Sequence, residues 1–340
     1  MRFRCVTLLL LLAALAGCGE GGDSGEVWRF ALEEVEGSVQ WAYAREFKSM
    51  VEARTDGEVT VRIHPYGSLG TSADLTQQVR QGALQFTFAS PGHLGSVVPE
   101  VQLLTLHFIL SDDNRVNHEV LTGNQRFHQL LDEAYRERGL TLYSIVPEGW
   151  MVWTAGKPLR TPADFEGVKI RTMVSPLLLS SYKAYGAKPS PMPYGEVYGA
   201  LQMDMIDAQV NPVFAIQEMS FHEVQSAMTR ARHAQFIATV ASAPGFIDGL
   251  SADRRAMLDE IRGELAGFVF DKQRELNDKR LAMIEDSSEI EIIELDDSQR
   301  AAFRERSMPV RDDYVELAGE RGRKLLDTLV QAIERADGTE

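Results

Sequence analysis

Cysteine is almost absent from this chain, with only Cys5 and Cys18 among 340 residues. Cys5 lies in a short apolar N-terminal segment of the kind that is removed on export. The remaining chain then contains a single cysteine, which excludes an internal disulfide. A chain of this length does not need one, because it can fill one or two hydrophobic cores.

Positive charge is also scarce. The sequence has 35 Lys and Arg against 50 Asp and Glu, a formal net charge of −15, and loss of Arg2 and Arg4 with an export signal lowers this to −17. The acidic balance argues against a nucleic-acid partner, because binding to nucleic acid depends on neutralising phosphates. It leaves the charge of a small ligand open, since a local pocket can differ in sign from the whole protein.

Long hydrophobic runs are missing as well. The apolar run from Val6 to Leu15 is too short for a membrane-spanning helix, which needs about 20 residues. Basic residues precede it and Ala16-Gly17-Cys18 follows it, an order typical of an export signal. The sequence therefore predicts export from the cytoplasm.

The end of this segment, Leu15-Ala16-Gly17-Cys18, resembles the lipobox of bacterial lipoproteins. The resemblance implies a signal peptide at 1–17, a lipid on Cys18, a flexible tether at 18–26, and a periplasmic protein anchored to a membrane. An ordinary signal peptide with an incidental cysteine is the alternative interpretation.

The next part of the chain alternates between strand and helix patterns. Val27–Leu32 is typical of a buried strand, and apolar residues recur at helical spacing over 41–51. A second strand over Val59–Ile63, a helix that Ser72 caps and that runs to about Gln81, and a third strand over Leu84–Phe88 follow. This order predicts an α/β fold.

A second alternating pattern begins near Leu140, and the last third of the chain is dominated by helix, with apolar stripes over 257–269 and 325–333. The remaining predicted elements are strands at Leu142–Val146, Gly167–Arg171, Ile206–Val210 and Ile290–Leu295 and helices at Ser175–Tyr185 and Tyr194–Gln202.

Motifs for catalysis, cofactors and metals are missing. Gly17–Gly22 fits the spacing G-x-G-x-x-G, but it follows no strand and straddles the predicted cleavage site. His107, His118 and His128 lack the spacing of a zinc site, and no nucleophile elbow or phosphate loop occurs. We therefore expect no enzyme, no cofactor and no metal. An enzyme on a two-lobe fold and a purely structural or sensory lipoprotein remain as alternatives.

The segment from Pro158 to Pro212 resembles the central signature of the TRAP-type solute receptors, the DctP-like family named for dicarboxylate binding. Further matching pieces extend the resemblance over nearly all of the exported chain. The matching pieces include Thr161–Gly167, Lys169–Arg171, Tyr185–Ala187, Pro191–Pro193, Gly195–Tyr198, Asp207–Pro212 and, outside the segment, Gly67–Gly70.

This resemblance implies an α/β fold of two lobes, joined by crossing hinge strands and braced by one long helix. Lobe 1 is expected from 27–148 plus 237–276, and lobe 2 from 149–236 plus 277–334. A ligand would bind in the cleft between the lobes, which close on it and deliver it to TRAP membrane subunits.

The resemblance also implies which side chains bind a carboxylate. An arginine of the family grips it and falls on Arg171, whose guanidinium presents two parallel donors. Asn211 is expected to add an amide donor. The alternatives are an Arg171 ion pair with Glu148 or Asp207, and a turn role for Asn211. Where many relatives carry a second arginine, this chain has Met151, so a second anionic group has no obvious partner.

A closer resemblance is to the ectoine and hydroxyectoine receptors of the same class, through Trp28–Gly37, Ser90–Gly92 and Ile170–Met173. Those receptors bind a zwitterion with one carboxylate and one delocalised cation. The resemblance places Glu34 at the cation, and ring faces attract such cations. The aromatic walls are expected from Tyr194 and Phe236, with Phe88 or Phe214 nearby.

Core packing is the alternative for each aromatic residue, and a surface position is the alternative for Glu34. The sequence departs from the ectoine pattern at Tyr194, where tryptophan is expected, at Ala215, where a large aromatic is common, and at Trp150. The predicted ligand is a small carboxylate-bearing osmolyte, ectoine or 5-hydroxyectoine. The alternative ligand is another organic acid: a dicarboxylate, an amino acid or an aromatic monocarboxylate.

Overall fold

The computed structural model of the protein describes residues 25–338. The predicted signal peptide, the lipidation site Cys18 and all but the end of the predicted tether lie outside this range. No helix among the described residues is both long enough and apolar enough to cross a membrane.

Regular structure accounts for most of residues 25–338. The strands are β1 (Glu26–Ala31), β2 (Val59–His64), β3 (Phe86–Ala89), β4 (Thr141–Ala155), β5 (Lys169–Thr172), β6 (Lys188–Pro191), β7 (Ala208–Pro212), β8 (Ala227–Arg230), β9 (Gln235–Ser242) and β10 (Glu291–Glu294). The helices are α1 (Val39–Arg54), α2 (Ser72–Arg80), α3 (Pro91–Leu94), α4 (Asn114–Gly123), α5 (Gln125–Glu137), α6 (Pro176–Ala184), α7 (Val197–Gln202), α8 (Val213–Glu218), α9 (Phe246–Gly249), α10 (Ala252–Ser287), α11 (Asp297–Ser307) and α12 (Val310–Ala336), with 3₁₀ turns at Pro99–Thr105, Pro162–Phe165, Tyr194–Glu196 and Phe221–Val224.

The strands form a sheet in the order β2-β1-β3-β9-β4-β7-β5-β6, and β8 pairs with both β4 and β10. The part built on β1, β2 and β3 is lobe 1, and the part built on β5, β6, β7, β8 and β10 is lobe 2. Strands β4 and β9 cross between them. The fold is therefore the predicted two-lobed α/β fold with crossing strands.

Strand β4 belongs to both lobes. Its first part, Thr141–Trp150, pairs antiparallel with β9, and its last part, Met151–Ala155, pairs antiparallel with β7. The register shifts between Pro147 and Gly149, where Gly149 has φ +123°. This bulge lies where the strand passes from one lobe to the other.

Helix α1 follows the prediction, and helix α2 corrects it in one detail. The Ser38 side chain accepts a hydrogen bond from the Trp41 amide, which starts α1. In α2 the N-cap is Thr71, which forms a capping box with Asp74, so the predicted cap Ser72 is the first helical residue instead. Thr71 and Ser72 both lie at the cleft.

Helix α10 is the bracing helix. Leu258, Ile261 and Leu265 are buried in the core of lobe 1, whereas Ile284, near its other end, packs with Val152 of lobe 2. Helix α10 thus contributes side chains to the cores of both lobes and connects the two lobes.

Helix α12 packs on lobe 1, although the sequence-based division places residues 277–334 in lobe 2. Its buried residues Tyr314, Leu325 and Leu329 share a core with Val79 and Phe127 of lobe 1. Its course is broken at Gly319, with φ +65°, so the chain can turn and follow the lobe surface.

Candidate ligand-binding site

A cavity of about 210 Å³ lies between the two lobes. Its size suits a small molecule rather than a peptide or a nucleotide chain. Lobe 1 and lobe 2 both contribute to its wall. The lining residues are Glu33, Glu34, Gln40, Tyr66, Thr71, Ser72, Ala73, Ser90 and His93 from lobe 1, and Arg171, Met173, Val174, Pro193, Tyr194, Asn211, Ala215 and Phe236 from lobe 2 and the crossing strand.

Arg171 projects from β5 into this cavity and is 2% exposed. Its Nε and Nη2 donate hydrogen bonds to the carbonyl oxygen of Met192, at 3.2 and 3.0 Å. Neither acid weighed as its partner fills that role, because Glu148 accepts a hydrogen bond from Gln40 and Asp207 accepts one from the Lys169 amide. The guanidinium is held from one side and faces the cavity with the other.

Arg171 is a buried cation without a carboxylate partner among residues 25–338. Burial lowers its pKa to about 10, so it stays charged at neutral pH. Burial, together with repulsion from Arg171, lowers the pKa of His93 to about 4, which keeps that imidazole neutral. Of the residues that line the cavity, Arg171 therefore supplies the positive charge, and a bound anion would compensate its lost hydration.

Asn211 lies on β7, opposite Val152 of β4. Its Nδ2 donates a hydrogen bond to Oε1 of Gln209 at 2.6 Å, and Gln209 donates in turn to the Thr154 hydroxyl at 2.8 Å. This chain fixes the amide at the cavity wall, where it lies with Arg171. The amide retains a second hydrogen that can be donated to a ligand.

Two acidic residues of lobe 1 also line the cavity. Glu33 and Glu34 follow β1 and are 8% and 6% exposed. Glu33 accepts a hydrogen bond from the Ser90 amide at 2.6 Å, and Glu34 one from the Gln40 amide at 3.5 Å. Burial, and to a lesser extent the charge of Glu218, raise the pKa of Glu34 to about 8.

Aromatic rings line the sides. Tyr194 meets Tyr66 edge to face, with ring centroids 5.8 Å apart, and the Arg171 guanidinium lies 6.0 Å from the Tyr194 centroid. Phe236, at the start of β9, also lines the cavity. The Tyr66 hydroxyl accepts a hydrogen bond from the Gly195 amide at 3.1 Å, which joins the two lobes across the cleft.

Phe88 and Phe214 lie elsewhere, in the core of lobe 1, and neither is part of the cavity lining. Phe88 stacks on Phe30 at 5.5 Å and meets Tyr43 edge to face, because its strand turns that face towards α1. Phe214 is fully buried at the start of α8. Core packing, the alternative considered for both, describes them.

Several lining residues were not identified from the sequence, among them Glu33, Gln40, Tyr66 and His93. A signal existed for some of them, since Glu33 falls within the matching segment Trp28–Gly37, but its position beside Glu34 gave no reason to expect both to face the cleft. Ser90 and Met173 also come from matching segments.

The positions that depart from related patterns also bear on the cavity. Met151 is 6% exposed and borders a separate space of about 20 Å³, lined also by His107 and His233, so no charge replaces the second arginine. Ala215 and Tyr194 both line the main cavity. Trp150 pairs with Gln235 where β4 and β9 cross.

Within the described range, no group of three or more His, Cys, Asp or Glu side chains is arranged to hold a metal ion. Histidines are present, but His107 and His233 pack against each other and against Tyr182 in lobe 2. Burial lowers the pKa of both.

A two-lobed fold with a cleft that is lined by charged and aromatic side chains from both lobes is typical of solute-binding proteins. Residues 30–317 match the family described as bacterial extracellular solute-binding protein, family 7 (DctP). The chain belongs to this family and is a TRAP-type solute receptor.

Two curated relatives extend over almost the whole chain. The ectoine-binding periplasmic protein TeaA of Halomonas elongata is 37% identical over 96% of this chain and 95% of its own. The ectoine/5-hydroxyectoine-binding periplasmic protein UehA of Ruegeria pomeroyi is 35% identical over 93% and 92%. Among solved structures, a TRAP periplasmic solute-binding protein of Marinobacter aquaeolei, in an apo open form, is 44% identical, with a TM-score of 0.85 over 89% of this chain and 99% of that one.

Proposed function

We propose that this receptor binds a small zwitterion with one carboxylate and one delocalised cation, ectoine or 5-hydroxyectoine. The observation that carries the proposal is the polarity of the cavity. The cavity is lined by Arg171 and Asn211 of lobe 2, by Glu34 of lobe 1 and by the aromatic rings of Tyr194 and Phe236. A ligand with opposite charges on a compact ring matches this set of groups.

The relatives support the same ligand, because TeaA and UehA are both named for binding ectoine. We infer that the Arg171 guanidinium and the Asn211 amide hold the carboxylate, that Glu34 meets the cation, and that Tyr194 and Phe236 pack on the ring. A cation beside an aromatic face gains about 2 kcal/mol when desolvated.

Binding in this proposal proceeds by closure of the cleft, with β4, β9 and α10 as the connection between the lobes. Lobe 1 is taken as 27–148 plus 237–276, joined by α12, and the rest of 149–309 forms lobe 2. The closed complex then delivers its ligand to the TRAP membrane subunits. The bound molecule is released unchanged, so no turnover product is expected.

A thermal-shift screen tests the ligand class. A ligand at 100 times its Kd stabilises the native state by about 2.7 kcal/mol and raises the Tm accordingly. Ectoine and 5-hydroxyectoine are expected to give the largest shifts, ahead of succinate, proline and benzoate. Absence of any shift with the two ectoines would refute the assignment.

A second candidate, a receptor for another small organic acid, is favoured by one observation. Ala215 and Tyr194 leave the wall less aromatic than the ectoine pattern predicts. A larger shift with one of the comparison acids in the same screen would identify this case.

The Glu34→Gln variant tests the role of the acidic end. Loss of the carboxylate is expected to weaken ectoine binding about tenfold or more, because a charge-assisted contact contributes roughly 1.5–3 kcal/mol. Cyclohexanecarboxylate, which lacks a cation, should lose little. Equal losses for both compounds in calorimetry would remove the zwitterion interpretation.

We further propose that the mature protein is periplasmic and that a lipid on Cys18 anchors it to a membrane. The support is the sequence Leu15–Cys18 and the polar segment after it. In cell fractionation the wild-type receptor should sediment with membranes, and Cys18→Ser should move it to the soluble fraction. A wild-type receptor that is already soluble would contradict the anchor.

A further inference from the structure

A second carboxyl group lies behind Glu34, outside the cavity. Glu148 is on β4 where the strand crosses between the lobes, and it is fully buried. Gln40 of α1 links the two acids: its Nε2 donates to Glu148 Oε1 at 3.1 Å, and its backbone amide donates to Glu34 Oε2 at 3.5 Å. Glu34 lines the cavity and Glu148 does not.

The second carboxylate oxygen of Glu148 indicates that this pair of acids must carry a proton. Glu148 Oε2 is buried and has no hydrogen-bond donor among the described residues. Its side chain lies within hydrogen-bonding reach of Glu34. Two carboxylates in contact cannot form a hydrogen bond unless one of them carries a proton, and repulsion in a buried site favours that proton.

The surroundings supply no cation to replace the proton. Glu33, beside the pair, is itself acidic and bonded to Ser90. Glu218 of α8 adds a further negative charge, and Arg280 of α10 is bound to Glu218 at 3.2 Å and to Gln217 at 2.5 Å.

The other ionisable groups near the pair belong to the cavity wall. Tyr194, Tyr66 and His93 face the space in front of Glu34, and Arg171 lies at the carboxylate-binding end. Burial raises the pKa of Tyr194 and lowers that of His93, so neither carries a charge near pH 7. Arg171 is reserved in our proposal for the ligand carboxylate. The negative charge of the Glu34 carboxylate can therefore be compensated only by a proton or by the cation of a ligand.

We propose that Glu34 and Glu148 are both protonated in the ligand-free receptor, and that the cationic group of a bound ligand displaces the proton of Glu34 to solvent. Glu148 then acts as a positioning residue: it keeps its own proton and donates a hydrogen bond to the ionised Glu34 carboxylate. This inference rests on the proposed zwitterion-binding function, which it deepens by making recognition of the cation a proton-exchange step.

The direction of the pH dependence follows from the same groups. Burial raises the pKa of Glu34 to about 8, and burial together with the charge of Glu34 raises that of Glu148 well above its ordinary range. A ligand cation favours ionised Glu34 and so lowers its pKa on binding. Ectoine affinity should therefore rise with pH by up to about tenfold per unit below pH 8 and level off above it.

Calorimetry on the full mature receptor measures the proton directly. Ectoine is titrated at pH 7 in phosphate and in Tris, whose ionisation enthalpies differ, and the slope of the observed enthalpy gives the protons released. Close to one proton per ectoine is expected for the wild type, and close to none for cyclohexanecarboxylate. Ectoine binding without release of a proton would overturn the proposal.

The Glu34→Gln and Glu148→Gln variants assign the proton. Glu34→Gln removes the group that titrates, so proton release at pH 7 should fall to zero and the affinity should become nearly independent of pH. In Glu148→Gln an amide donor takes the place of the protonated acid, and since burial still raises the pKa of Glu34, release should stay close to one proton. Glu100→Gln is the matched control, since Glu100 is also a buried acid but pairs with Arg321 away from the cavity. Undiminished release in Glu34→Gln, or loss of release in Glu148→Gln, would contradict the proposal.

A ligand-free measurement separates this inference from the proposed function. Infrared spectra of the ligand-free wild type at pH 7 should contain the carbonyl band of protonated carboxylic acids, and Glu34→Gln and Glu148→Gln should each remove part of it. If ectoine fails to bind but the band is present, the ligand assignment fails while the proton pair stands. If ectoine binds and the band is missing, the proton pair fails alone.

Discussion

At the scale of single residues, Arg171 combines burial, a fixed guanidinium and an unpaired charge. Its two hydrogen bonds to one carbonyl orient the fork but do not neutralise it. Such a group costs free energy in the empty receptor and regains it when an anion arrives. Affinity should therefore depend on Arg171 more than stability does.

The variant Arg171→Ala is expected to bind ectoine at least about a hundredfold more weakly, since loss of one partner of a buried charge pair costs roughly 2–5 kcal/mol. The ectoine affinity of Arg171→Lys should lie between those of the wild type and Arg171→Ala, because lysine keeps the charge but lacks the two parallel donors. Calorimetry gives the affinities.

The control for this prediction is Arg54→Ala, which breaks an ion pair with Glu264 on the outside of lobe 1. It should leave the ectoine affinity unchanged. Near-normal affinity in Arg171→Ala, or unfolding of that variant without ligand, would contradict the role of the arginine.

At single residues, the assignment of Arg171 and Glu34 to the ligand rests on the resemblance to related receptors. Both residues line the cavity, where a buried charge needs a partner. An aromatic ring, in contrast, packs as well in a hydrophobic core as in the wall of a cavity. Phe236 and Phe88 could be separated only by tertiary contacts, which put one at the cavity and the other against Tyr43.

At the scale of elements, β4 shows how tertiary pairing overrides local signals. Only Leu142–Val146 is predicted as strand, because Pro147 and Gly149 interrupt the pattern, yet the strand runs on to Ala155. Pairing with β9 and then β7 stabilises the extension. Strand β9 is almost entirely buried and so lacks the period-two alternation that would indicate it.

The crossing point also depends on one contact with α10. Asn277 donates to the Glu148 carbonyl at 2.9 Å and accepts from the Phe214 amide at 3.2 Å, so it joins β4, α8 and the bracing helix. Gly149 leaves room for this amide. A Cβ at Gly149 would lie 2.5 Å from Asn277 Nδ2, and its φ of +123° disfavours any side chain.

Gly149→Ala is therefore expected to destabilise the ligand-free protein by about 1–3 kcal/mol, from backbone strain and the displaced amide. Chemical denaturation measures the change. Gly267→Ala is the matched control within α10, where a Cβ meets nothing within 4 Å, and it should be neutral or stabilise by up to about 1 kcal/mol. Similar effects in the two variants would argue against a special role for the crossing.

At the scale of the whole molecule, the two lobes touch directly at the cleft. The Tyr66 hydroxyl accepts from the Gly195 amide at 3.1 Å on one side. On the other, Met173 of lobe 2 packs over Gly92 and the Ser90 hydroxyl of lobe 1. These contacts exist only with the lobes together, so they contribute to the stability of the closed state and, through it, to affinity.

The α/β character was predictable because strand and helix patterns alternate in two sets, and the two lobes followed from the family resemblance. The side on which α12 packs was not predictable. Its apolar stripe over 325–333 fits any core. Contacts of Leu325 and Leu329 with residues such as Phe127 decide that it covers lobe 1. An apolar stripe predicts which face of a helix is buried, but it does not predict which lobe that face packs against.

Gly92→Ala tests whether closure and affinity are linked. A Cβ at Gly92 would lie 2.8 Å from Met173 Cβ, too close for the side chain to escape by rotation alone, so the lobes would have to separate slightly. Overpacking of this kind costs roughly 1–3 kcal/mol, and we expect about tenfold weaker binding. The loss should be the same for ectoine and for cyclohexanecarboxylate, because the substitution acts on closure and not on any group of the ligand.

Small-angle scattering of the ectoine-saturated variant should give a slightly larger radius of gyration than the wild type, whereas the ligand-free Tm should be unchanged. Gly123→Ala, at a position in α4 with nothing within 4 Å of a Cβ, is the control. A variant that binds both compounds as tightly as the wild type would mean that the Met173–Gly92 contact yields without moving the lobes. A loss confined to ectoine would instead place the effect at the cation and not at the hinge.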